Sequence, residues 1–144
     1  MEIRFNSKDF DQLTAREFYE IARARTEVFL LEQRIVCQDF DRVDYESLHC
    51  FLTEGTKVVA YLRAYLADGK IQIGRVLSVT HGIGLGERLM RESFPILKEK
   101  FGDRVFLVHS QRQAEGFYKK LGFVTVSEEF LEENIPHVIM IREE

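Results

Sequence analysis

Three β-rich runs lead directly into a glycine-rich turn and an amphipathic helix, and this succession constrains the fold more than any other feature. Ser47–Thr53 and Lys57–Ala67 are separated by Glu54-Gly55-Thr56, and Asp68-Gly69 is a strong hairpin signal. Ile71, Ile73, Val76, Leu77 and Val79 predict a long third strand of this meander. Gly74 lies inside it and marks a bulge or a splay. The glycine-rich stretch His81-Gly82-Ile83-Gly84-Leu85-Gly86-Glu87-Arg88-Leu89-Met90 follows. Leu85, Leu89, Met90, Phe94 and Leu97 then share one helical face. Pro95 sits inside that pattern and is expected to kink or shorten the helix.

The remaining elements flank this unit. Glu2–Asn6 alternates weakly and reads as a short strand. Thr14-Ala15-Arg16-Glu17 is a capping box. After it Phe18, Ile21, Ala22, Arg25, Val28 and Phe29 recur at helical spacing and predict an amphipathic helix over 15–32. Residues 34–46 are polar and acidic and read as a loop with room for a helical turn. Val105–Val108 is a short buried strand, Ala114–Leu121 a second short helix ended by Gly122, and Val124–Val126 and Val138–Ile141 are closing strands. The predicted class is mixed α/β (α+β), a sheet with helices packed on it, formed by residues 1–144 as one domain.

Charge and composition narrow the function. Lys plus Arg is 20 and Asp plus Glu is 24, for a net charge of −4, which argues against a general nucleic-acid binder. Charges run through residues 1–30, so no signal peptide is expected. No apolar run approaches the ~20 residues that span a bilayer. The expected setting is cytoplasmic, with no membrane partner. Cys37 and Cys50 have no metal-ligand spacing and are expected to be buried thiols in a reducing compartment, with no metal bound.

The glycine-rich turn carries the chemistry. Glycines allow close backbone approach, and the free N–H groups and dipole of a helix start favour an anion such as a diphosphate. Two familiar phosphate loops do not fit. A Walker A loop needs Gly-Lys-Ser/Thr where Glu87-Arg88 stands. A dinucleotide fingerprint needs a small residue at Leu89 or Glu87, and the preceding meander is wrong for its βαβ unit. The bland alternative is a tight turn that uses glycine for geometry alone.

In its context this segment resembles motif A of the GCN5-related N-acetyltransferases (GNAT), Gln/Arg-x-x-Gly-x-Gly/Ala, with His81 in place of the usual Gln or Arg. Gln111, Ala114 and Phe117-Tyr118-Lys119-Lys120-Leu121-Gly122-Phe123 resemble the family's next motif, with Gln111 where Asn is more usual. Residues 25–33, Gln38-Asp39-Phe40-Asp41 with His49, and 135–140 resemble the ElaA-like branch. The resemblance covers nearly the whole chain. It implies a splayed sheet of six or seven strands with acetyl-CoA between the central ones. It implies main-chain contacts to the pantetheine arm from Leu77 and Val79, with Ser78 between them. It implies a pyrophosphate cradle of Gly82, Ile83, Gly84, Leu85, Gly86 and Glu87, with Gln111 and Phe117 completing the cofactor contacts.

The same resemblance places Tyr118 at the general-acid position, where a phenol protonates the departing thiolate. The competing reading is a core tyrosine beside Phe117. No carboxylate stands on the long strand, which offers Gln72, Arg75 and Ser78. The general base is left among Glu32, His49, His109 and a water chain. His137 is equally readable as structural. Asp39, Asp41 and Asp44 form an acidic cluster, either a solvated loop or an attractor of a cationic amine. Glu32 and Gln33 are placed beside that acceptor site, and Arg75 either counters the acidic charge or binds an acceptor carboxylate. The expected reaction is acetyl transfer from acetyl-CoA to a primary amine of a small molecule or peptide by direct attack in a ternary complex. A non-catalytic acyl-CoA-binding module is the alternative. A homodimer is compatible with the chain.

Overall fold

The computed structural model describes residues 2–143. Strand β1 (Ile3–Asp9) leads through a single 3-10 turn to helix α1 (Ala15–Arg25), which continues without a break as a π-helical segment, Thr26–Glu32. The meander is β2 (Leu48–Glu54), β3 (Lys57–Ala67) and β4 (Lys70–Ser78). Helix α2 (Leu85–Phe101) and strand β5 (Phe106–Gln111) follow, then helix α3 (Glu115–Lys120) and strands β6 (Val124–Thr125), β7 (Phe130–Glu132) and β8 (Ile135–Arg142).

The capping box forms as read. The Thr14 hydroxyl accepts from the Glu17 amide at 3.0 Å, and the Glu17 carboxylate accepts from the Thr14 amide at 2.9 Å. Pro95 neither ends nor shortens α2, which runs through it to Phe101. Burial of Leu89, Met90, Phe94 and Leu97 outweighs the one backbone bond that a proline removes.

The sheet order is β1-β2-β3-β4-β5-β8-β6, with β7 paired to β8. It holds eight strands, and the one that sequence did not suggest is the three-residue β7. Side chains of β2 and β3 alternate between two cores. Cys50, Leu52, Ala60 and Leu62 pack toward α2, while Phe51, Val58 and Tyr61 pack with Ile21, Ala24 and Val28 of the first helix. Both faces are covered, which is why Val58–Ala64 of β3 is buried without interruption. Of the two cysteines, Cys50 is buried as expected but Cys37 is exposed.

The sheet splays at its centre. Strands β4 and β5 pair in parallel over Ile71–Ile73 and Phe106–Val108 and diverge beyond. The β3–β4 register shifts at the same level, between Tyr61 and Arg63. The bulge centres one residue after the glycine expected to mark it. Arg75 takes the left-handed conformation, with φ of 52°, while Gly74 does not.

A closed ring of ion pairs holds that unusual residue. Asp39, Asp41 and Asp44 of the acidic loop alternate with Arg25 of α1, Arg63 of β3 and Arg75 of β4. Arg25 contacts Asp44 at 2.6 Å and Asp39 at 3.1 Å. Arg63 contacts Asp44 at 3.2 Å and Asp41 at 2.7 Å. Arg75 contacts Asp41 at 3.4 Å and Asp39 at 2.7 Å. Arg25 is fully buried, with its guanidinium 4.2 Å from the Phe40 ring centroid. The loop keeps an exposed outer face, but its aspartates are not a free negative surface, because three cations match them.

Removing Asp44 would leave Arg25 and Arg63, both buried, with one carboxylate partner each. Asp44→Ala is expected to lose about 3–5 kcal/mol of stability, read as a lower urea midpoint. The ring also predicts acid sensitivity. Hydrogen bonds from Arg63 hold the Asp41 carboxyl down at about 2, against an ordinary 3.8. A depressed carboxylate stabilises the fold above its unfolded value, and that contribution is lost as pH falls from about 3.8 through about 2. Asp41→Asn should therefore flatten the fall in unfolding free energy across that window, measured by urea titration at successive pH values.

Candidate active site

Two adjoining clefts open where β4 and β5 part. The first, of about 350 Å³, lies against the start of α2. Leu77 and Ser78 line it from β4, Gly82, Gly84, Leu85, Gly86 and Glu87 from the turn, and Phe117, Tyr118 and Lys120 from α3. No side chain caps α2, and its first helical bond is Arg88 N–H to the Gly84 carbonyl at 3.0 Å. The preceding amides are therefore orphan donors at the positive end of a 17-residue helix. Gly82 and Gly84 have φ of 82° and 79°, and a Cβ at either would meet nothing within 4 Å. The open space fits a diphosphate laid against the backbone.

Four expected cofactor contacts differ in detail. Gly86 has an ordinary φ, and a Cβ there would come within 3.3 Å of the Phe117 ring. Its missing side chain makes room for α3 rather than for a ligand. Ile83 is 62% exposed and lies outside the lining. Val79 donates its N–H to the Val59 carbonyl at 2.9 Å, so that amide is closed to a ligand. Gln111 lines the second cleft instead. Glu87 pairs with Arg91 at 3.0 Å and Lys120 at 3.7 Å, which offsets a carboxylate at an anion site.

The second cleft, of about 250 Å³, lies on the other side of the splay. Phe29, Gln33, Ile35, Cys37 and Asp39 form one wall, Gly74, Arg75 and Val76 the floor, and His109, Gln111, Glu132, Glu133 and His137 the far side. The π-helical segment widens the last turns of the first helix and aims Gln33 across the gap. Gln111 Nε2 donates to Gln33 Oε1 at 2.9 Å, and Gln113 Nε2 donates to Gln111 Oε1 at 2.8 Å. Gln33, Val76, Ala114 and Tyr118 line both clefts.

Tyr118 sits at the junction. Its ring packs edge-on against Phe117 and Phe123, with centroids 5.0 and 5.5 Å away. Its hydroxyl has no hydrogen-bond partner among the described residues. Burial pushes the phenol well above its ordinary value, so it holds its proton at neutral pH.

The acceptor-side candidates divide. Gln33, Asp39, Arg75 and His109 line the second cleft. Glu32 does not: it pairs with His81 at 2.7 Å and ties the π-helical segment to the glycine turn. Asp41 is bound to Arg63 and Arg75 in the ring. His49 is buried beneath β1 and the acidic loop, with its Nε2 2.9 Å from the Asp44 carbonyl and its Nδ1 2.7 Å from the Tyr61 hydroxyl. The carbonyl only accepts, so Nε2 carries the proton and Nδ1 accepts from Tyr61. Burial lowers the His49 pKa, and the ring is neutral and fully occupied. Neither Glu32 nor His49 reaches a substrate in this cleft.

Glu132 was missed by sequence reasoning. It enters on β7, joined to β8 by Glu133-Asn134 with φ of 51° and 61°. Two left-handed residues make a tight hairpin turn, but without glycine the pair gives no sharp sequence signal.

The two motif glycines should respond differently. Gly84→Val places a β-branched residue at positive φ and fills the open cradle, so it is expected to cost about 1–2 kcal/mol or more and to abolish CoA binding. Gly86→Ala should keep the turn and act by displacing Phe117. Thermal unfolding and calorimetric titration with CoA separate the two effects.

Comparison with known proteins agrees with this geometry. The family model described as an acetyltransferase (GNAT) domain matches residues 9–144. A UPF0039 protein of Schizosaccharomyces pombe is 33% identical over 143 residues, covering 96% of this chain and 95% of that protein. The crystal structure of an acyl-CoA N-acyltransferase from Pseudomonas aeruginosa superposes with a TM-score of 0.90 at 31% identity, over 98% of this chain and 99% of that one. Escherichia coli ElaA is 28% identical over 148 residues, covering 98% of this chain and 97% of that protein. Its crystal structure superposes with a TM-score of 0.91, over 99% of this chain and 100% of that one. The splayed sheet, the uncapped glycine turn and the matched sequence place this chain in the GNAT acetyltransferase family, in its ElaA-like branch.

Proposed function

We propose that the protein transfers an acetyl group from acetyl-CoA to a primary amine of a small molecule or peptide, by direct attack while both are bound. The observation that carries this reading is the junction at Tyr118, where a cleft built for a diphosphate meets a second, polar cleft. Bound acetyl-CoA supplies an activated acyl thioester and a thiolate leaving group. The chain's own residues do the rest. The orphan amides at the start of α2 and Lys120 hold the diphosphate. Leu77 and Ser78 on the splayed edge of β4 run alongside the arm that joins it to the thioester. Tyr118 stands between the clefts with a protonated, unpartnered hydroxyl and donates that proton to the departing sulfur. Gln33, Arg75 and His109 face the acceptor. The second cleft also carries Glu132, Glu133 and Asp39 against Arg75, an excess of carboxylate that suits an acceptor arriving as an ammonium ion.

CoA at about 100-fold its dissociation constant should add ~2.7 kcal/mol of stability and raise the unfolding midpoint by on the order of 10 °C. Absence of any shift at millimolar CoA would remove the cofactor from this account. Tyr118→Phe keeps the ring packing and loses only the hydroxyl. It should leave stability and CoA affinity unchanged while single-turnover acetyl transfer slows by about 10²-fold, the lower end for a general acid because a thiolate leaves readily. Wild-type single-turnover rates in that variant would return Tyr118 to a packing role.

A further inference from the structure

The wall of the acceptor cleft contributed by β5, β7 and β8 carries a linked cluster of two histidines and a carboxylate. Pairing across the three strands places His109, Glu132 and His137 on one face of the sheet: Phe130 opposes His137, Glu132 opposes Ile135, and Gln111 opposes His137. Glu132 Oε1 lies 2.9 Å from His109 Nδ1, and Oε2 lies 3.8 Å from His137 Nε2. The Phe130 ring stands edge-on to His109 at 5.7 Å and tilted by 31° to His137 at 6.0 Å, touching both imidazoles. His137 donates from Nδ1 to the Ile135 carbonyl at 2.7 Å and is buried, with its Nε2 turned to Glu132 rather than to solvent.

His109 is differently placed. A carboxylate on Nδ1 can only accept, so the neutral ring carries its proton there and leaves the Nε2 lone pair bare. That nitrogen has no partner among the described residues, and the ring lines the cleft. The strand position at which a carboxylate was sought offers none, and Glu32 and His49 are engaged elsewhere. Resting on the acetyl-transfer reading, we propose that His109, positioned by Glu132, is the general base that deprotonates the acceptor amine.

The balance is simple. The acceptor enters as R–NH3⁺ and gives one proton to His109 Nε2. The amine nitrogen forms a C–N bond to the thioester carbonyl carbon and sheds its second proton to the same cleft, by way of solvent. As the C–S bond breaks, the sulfur takes the Tyr118 proton. Solvent passes the second amine proton back to Tyr118, and His109 releases the first to bulk water, so one net proton leaves with the amide and the free thiol. Glu132 keeps its charge throughout and stabilises the imidazolium. The lowered pKa of Glu132, caused first by its hydrogen bond to His109, is consistent with that role. His109 is the catalytic residue here and Glu132 a positioning residue.

Two measurements test the assignment, and the first needs no acceptor. Nitrogen-15 shifts of the His109 ring, followed to high pH, should show the proton on Nδ1 in the wild type. Glu132→Ala should return it toward Nε2, the intrinsic preference of a free imidazole. A wild-type proton on Nε2, or a tautomer indifferent to Glu132, overturns the proposal. The second is thiol release from acetyl-CoA with two probe amines, benzylamine (cationic at neutral pH) and trifluoroethylamine (largely neutral there). His109→Gln should lower kcat by about 10²-fold or more with benzylamine and distinctly less with trifluoroethylamine. Glu132→Gln should give a smaller loss in the same order. CoA affinity by calorimetry should not move in either variant. Equal losses with both amines, or none, overturn the base assignment. If neither amine is accepted, the ring tautomer decides alone. Loss of CoA binding in the wild-type protein would instead strike the acetyl-transfer reading itself.

Discussion

The closed ring of three arginines and three aspartates is the interaction on which the rest of the structure depends. Its members come from the end of α1, from β3, from β4 and from the loop between the first helix and β2. Arg75 adopts a left-handed backbone that a long side chain rarely takes, at a cost of about 1–2 kcal/mol. Two carboxylates and the Asp39 carbonyl hold its guanidinium on the loop side. With that residue held, β4 bulges against β3 and turns away from β5. The clefts exist because the two strands stop pairing there.

The ring also accounts for buried charge that would otherwise be costly. Arg25 is wholly buried and Arg63 and Asp44 nearly so. Each has two partners of opposite sign, which is the condition under which buried charge is tolerated. The same contacts convert a polar, acidic loop into a wall of the second cleft, which Asp39 and Cys37 line. A second constraint acts from the first helix. Its last turns are π-helical, so Val28 still packs on the core while Phe29 and Gln33 reach the clefts.

Much of the site could be read from the residues because its signals are local. A helix start needs glycines and free amides in sequence, and His81–Glu87 supplies them within seven residues. Tyr118 was singled out by the resemblance of 117–123 to a family motif, and the local pattern alone, a short helix closed by Gly122 with φ of 94°, reads equally as a core tyrosine. The acceptor side was much less legible. His49 and His109 are equivalent as isolated histidines, yet one is sealed between Tyr61 and Asp44 and the other opens on a cleft. Glu132 gave no signal, because the turn that carries it uses Glu133-Asn134 rather than a glycine pair. The acidic cluster read as a solvated loop or an attractor of cations because its three arginine partners are 14 to 36 residues away, and separations of that kind leave no local pattern.

By itself the sequence determined the local vocabulary: the capping box at Thr14, the Asp68-Gly69 hairpin, the alternation that sends β2 and β3 side chains to two cores, and the glycine turn that opens α2. Each depends on neighbours within a few residues, where backbone conformation and hydrophobic periodicity act directly. Only the tertiary structure decided which charges cancel, where the central strands part and which histidine opens on the second cleft. Those outcomes come from pairing across the sheet and from ion pairs between distant segments. Their free energy depends on who the partner is once the chain has closed.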